Sequence, residues 1–162
     1  MKKEANVIVD ITICILCTLL ALSAMIYDLR TYKIPNVICL IGIISGIAFN
    51  TYYNGFLGFK DSMIGIICPI GILFIFFLLR IIGAGDIKLL SAIGAFMSFD
   101  VVKVIIITFI IAGAYSFVYV IIKLIKRLVQ KDIKSKYKFS RMHLSVPIFT
   151  ASLAFMISAL FV

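Results

Sequence analysis

The chain has 162 residues, of which 64% are hydrophobic, with a mean hydropathy of +1.21 and a formal net charge of +9. A soluble domain is about 45–50% apolar, so this composition marks an integral membrane protein and excludes a sizeable soluble domain. The positive charge does not indicate nucleic acid, because eight of the sixteen Lys and Arg fall between Lys123 and Arg141, between two apolar runs.

A helix needs roughly 20 apolar residues to cross the hydrocarbon layer of about 30 Å. Apolar runs at 7–27, 37–53, 63–82, 87–99, 101–124 and 144–162 predict an all-α polytopic bundle of about six transmembrane helices, folded as a single domain over 1–162. The first run follows Lys2-Lys3 and contains Ala21-Leu22-Ser23-Ala24, which imitates a signal peptide. It is longer than a usual signal core and carries Asp10 near its start, so it reads as a retained span. In the third run Pro69 predicts a kink, and in the last Pro147 shapes the helix start. The fourth run is short enough to be tilted or interfacial. Cys14, Cys17, Cys39 and Cys68 all sit inside apolar runs. They read as small buried hydrophobes, since Cys14-Ile15-Leu16-Cys17 has no second pair to complete a metal site.

Between the fifth and sixth runs, 123–141 is the longest polar segment. Leu124, Ile125, Leu128, Val129 and Ile133 recur there among basic residues, which predicts a basic amphipathic helix on anionic lipid. The loops after runs one, three and five hold twelve Lys and Arg against four on the other side. This bias puts those loops in the cytoplasm and both termini outside. Two spans separate Asp28 from Asp86, so both aspartates belong to the cytoplasmic face.

Those two residues are the candidates for chemistry. The chain carries seven acidic residues, and Asp28 and Asp86 lie at the mouths of apolar spans. A carboxylate beside hydrocarbon is costly and marks a functional site by default. Asp28 opens Asp28-Leu29-Arg30-Thr31-Tyr32-Lys33-Ile34-Pro35-Asn36. Pro35 cannot continue a helix and Asn36 suits the N-cap of the next, so the segment reads as a defined turn that fixes Asp28. Asp86 closes Gly83-Ala84-Gly85-Asp86. Gly83 and Gly85 can take positive φ and let an extended substrate backbone come close, while Asp86 alone would serve as an N-cap. Lys88 either tunes the charge of the pair or snorkels to the surface. Two carboxyls that meet share one proton: one activates water and the other protonates the scissile carbonyl. His143 reads as interfacial, and Ser23, Ser91 and Ser145 have no evident base beside them. There is no metal, nucleotide or flavin signature, so no cofactor is expected.

The Asp28–Asn36 segment and Gly83-Ala84-Gly85-Asp86-Ile87-Lys88-Leu89, with Gly94 and Val146-Pro147 matching more loosely, resemble the type IV prepilin peptidases, bacterial members of the GxGD membrane aspartyl proteases. The resemblance implies that Asp28 and Asp86 are the catalytic pair, supported by Gly83, Gly85, Lys88, Arg30, Pro35 and Asn36. It implies cleavage of short basic leaders from type IV prepilins or pseudopilins at the cytoplasmic face of the plasma membrane. Long members of the family carry a zinc-binding domain before the first span and N-methylate the new terminus. Here about six residues precede the first run, so the short form without methylation is expected. Archaeal preflagellin peptidases share the small layout and stay as an alternative. A small ion or proton transporter using the same aspartates is another, though both residues sit at span ends and no inverted repeat is seen. A non-catalytic scaffold in which both are mere caps is a third.

Overall fold

The computed structural model describes residues 2–31, 33–130 and 144–160. In chain order they form α1 (Lys2–Thr31), α2 (Asn36–Leu78), α3 (Ala84–Met97), a 3-10 turn (Ser98–Asp100), α4 (Val101–Gln130) and α5 (Ser145–Leu160). Helices are what an apolar chain must form in lipid, since each backbone N–H and C=O has to be satisfied within the segment. Among the described residues, three stretches are long and apolar enough to cross a membrane: Val9–Thr31, Asn36–Leu78 and Ala84–Ile122. Ser145–Ser158 is a shorter apolar helix.

The second and third predicted runs share α2, which breaks at Gly55 (φ 59°, ψ −139°). This backbone conformation is open to glycine and strained for other residues. Asn50 Nδ2 lies 3.0 Å from Ser62 Oγ. Along a straight helix those residues would be about 18 Å apart. The chain therefore turns back at Gly55, and the halves 36–54 and 56–78 lie side by side. Pro69 is buried within the second half of α2, and the non-helical dihedrals inside α2 are at Gly55.

α3 covers the fourth predicted run and lies at the centre of the bundle, packed against the other helices. Its residues from Leu89 to Met97 are all buried. Small residues allow this approach. A side chain at Gly42 would meet Ala92, at Gly46 the backbone of Ala95, and at Gly65 the backbone of Gly94. The core gathers Cys17, Ala21 and Ala24 from α1, Leu73 from α2, Val104 and Ile105 from α4, and Ile148 and Ala151 from α5 around Leu90 and Ile93. Cys14 and Cys39 are buried as well, and all four cysteines are free thiols. Outward faces stay apolar: Val37, Ile41, Ile44, Ile67, Ile75 and Ile110 are exposed. On a water-soluble protein such a surface would aggregate; against lipid it needs no cover.

At the C-terminal end of α3, the last carbonyls of the helix have no partner within it. Asn50 Nδ2 lies 2.9 Å from Ala95 O and 3.0 Å from Phe96 O, and Ser62 Oγ donates to Ala95 O at 2.8 Å. Ser98, with φ 53°, then turns the chain into the 3-10 segment and α4.

α4 continues helically to Gln130, into the predicted basic segment. The rest of that segment, and His143, lie outside the described residues.

Candidate active site

The C-terminus of α1 and the N-termini of α2, α3 and α5 converge on one end of the bundle. Three contacts establish this. Ile34, in the α1–α2 link, packs against Gly85, where an added Cβ would lie 3.4 Å from that of Ile34. Lys88 Nζ donates to Asn36 Oδ1 at 3.0 Å. Ser145 Oγ donates to Asp28 Oδ2 at 2.5 Å. The two segments singled out in the sequence are thus neighbours, although 52 residues separate Lys88 from Asn36.

Asp28 sits in the last turn of α1 and is 8% exposed, an unusual state for a carboxylate. Arg30 follows in that same turn, exposed, where a cation complements the negative end of the helix dipole. Pro35 takes the N-cap position of α2 with extended backbone (φ −63°, ψ 131°) and ends the link as predicted. Asn36 does not cap the helix. It is the first residue of α2, no side-chain cap bond forms there, and its carbonyl is occupied by Lys88 instead. Lys88 consequently joins α3 to α2.

Asp86 is not the N-cap of α3 but its third residue; Gly83 holds the cap position. The Asp86 N–H donates to Gly83 O at 3.2 Å, and the Gly83 N–H donates to Asp86 Oδ2 at 3.3 Å, a reciprocal cap without a hydroxyl. Positive φ is not what glycine supplies here, since Gly83 is extended at φ −77°, ψ 149°. The requirement is space: a Cβ on Gly83 would stand 3.1 Å from Asp86 Oδ2. Asp86 is half-buried, so its carboxyl reaches both the protein and the outside.

Ser145 was not legible as a site residue. Far from lacking an acidic neighbour, it contacts a carboxylate contributed from 117 residues away, and no local pattern announces such a pair. Its hydroxyl gives its hydrogen to Asp28. Among the described residues, no group of three or more His, Cys, Asp or Glu could hold a metal ion.

Two acidic side chains thus lie on converging helix ends. The sequence profile of the type IV leader peptidase family matches residues 14–121, and the chain belongs to that family. It is therefore a membrane peptidase of the aspartic leader-peptidase type, a hydrolase. Both aspartates fall within the match; Ser145 and the rest of α5 lie beyond it. Neither the curated proteins nor the solved structures compared with the chain gave a match.

Proposed function

We propose that this protein removes the short basic leader peptide from a type IV prepilin or pseudopilin, with Asp28 and Asp86 as the catalytic pair. The observation that carries the reading is the seating of Ile34 on Gly85 and of Lys88 on Asn36, which brings the segment after Asp28 against the segment that presents Asp86. One carboxylate takes a proton from water as the water attacks the scissile carbonyl. The other, protonated, donates to that carbonyl oxygen. Each role contributes on the order of 10²–10⁴ in rate.

In this reading each half of α2 spans the membrane, which makes about six passes with α1, α3, α4 and α5. The converging end faces the cytoplasm of the plasma membrane, both termini lie outside, and the basic segment 123–141 rests on anionic lipid. The same face would meet the basic leader. The test is cleavage of a purified prepilin by the full chain in liposomes, read by N-terminal sequencing. The reading predicts one new terminus at the end of the leader. Intact prepilin in the presence of folded enzyme, across several prepilins and pseudopilins, contradicts the substrate assignment.

A further inference from the structure

We infer that Ser145 is the positioning residue for Asp28, and that through it the entry of α5 sets the geometry of the active site. The inference deepens the peptidase reading and rests on it.

The geometry is specific. Ser145 is the first residue of α5, fully buried at 0% exposure, and its Oγ stands 2.5 Å from Asp28 Oδ2. A hydroxyl hydrogen bond to a carboxylate is short and about twice as strong as a neutral one. In a buried setting it also restricts the rotamer of the acid, because moving the carboxylate away would take this acceptor from the buried Ser145 hydroxyl. The backbone holds the donor firmly. Ile148 N–H donates to Leu144 O at 3.1 Å, which closes the first turn of α5, and Pro147 in that turn pre-sets its helical φ. Ile148 and Ala151, one and two turns on, are buried in the core, so the end that carries Ser145 is anchored by packing. The last turn of α1 and the first turn of α5 thus form one unit around Asp28. Catalysis depends on placement to within fractions of an ångström, and a support of this kind supplies it.

Ser145 touches neither substrate nor water in this account; it acts on Asp28. Two consequences follow for variants of the reconstituted full chain, assayed with a cleaved prepilin. In Ser145→Ala the kcat falls about tenfold with KM within about twofold, because orientation is lost rather than binding. Ser145→Thr, which keeps the hydroxyl, stays closer to wild type.

An independent readout needs no turnover: the infrared carboxylate band of Asp28, isolated as the difference between wild type and Asp28→Asn, shifts on Ser145→Ala. A Ser145→Ala enzyme with wild-type kcat and band position overturns the inference and leaves Asp28 in its role. Equal losses in the Ala and Thr variants, with an unmoved band, assign Ser145 to folding alone and also overturn it. An Asp28→Asn enzyme that cleaves at the wild-type rate overturns the underlying reading instead.

Discussion

The two ends of this bundle treat polar side chains in opposite ways. At the Gly55 end, Asn50 and Ser62 close on the carbonyls of Ala95 and Phe96, so neutral side chains satisfy neutral backbone. At the other end Asp28, Asp86 and Lys88 are ionisable, and the groups they meet include a serine, a glycine amide and an asparagine. The first arrangement finishes a helix where no water reaches it. The second keeps acidic groups at the rim of an apolar bundle, which stability alone gives no reason to do. Polar residues in a membrane chain therefore need sorting by partner before any of them is assigned a role.

The comparison breaks most sharply at the aspartates. Asp28→Asn and Asp86→Asn should each lower leader cleavage by about 10³-fold or more while membrane levels hold, and the double variant should be no worse than either single one. Quantitative immunoblots beside cleavage rates check this; independent, additive losses would contradict a pair acting as a unit. Next in size is Gly65→Val, whose side chain would run into the backbone of Gly94. It should cost about 1–3 kcal/mol and lower Tm in detergent, with activity following the folded fraction. Asn50→Leu should follow with about 1–2 kcal/mol, since it leaves the last carbonyls of α3 short of donors. Its kcat per folded molecule should stay at the wild-type value, which separates the structural end from the chemical one. Lys88→Met is the mildest. It releases the link to Asn36 and should reduce kcat/KM about tenfold with a change in Tm near the measurement error. A large Tm loss in Lys88→Met would move this contact to the structural class.

Much of the chemical end was legible in the sequence. Asp28 and Asp86 stood out because carboxylates are rare and costly in apolar surroundings, and an even number of apolar runs between them put them at one end. The convergence of α1, α2 and α3 at that end agrees with this. Local caps were read less well. Asn36 has the chemistry of an N-cap, but Lys88 competes for its carbonyl, and a sequence does not show which partner wins. The positive φ expected of Gly83 and Gly85 is absent: their backbone is not left-handed, and they leave room for Asp86 and Ile34. The central position of α3 was missed because a short apolar run reads the same whether it meets lipid or protein. Only its glycine-bearing partners Gly42, Gly46 and Gly65 distinguish the two. Ser145 was beyond reach, since the contact joins the end of the first helix to the start of the last.

The central claim is that Asp28 and Asp86 together cleave a prepilin leader. The most direct measurement is the intact mass and N-terminal sequence of a candidate prepilin co-expressed with wild type, Asp28→Asn or Asp86→Asn, at matched membrane levels. The account predicts a leader-free product with wild type only. Leader removal that persists in both variants, in cells without another leader peptidase, would contradict it.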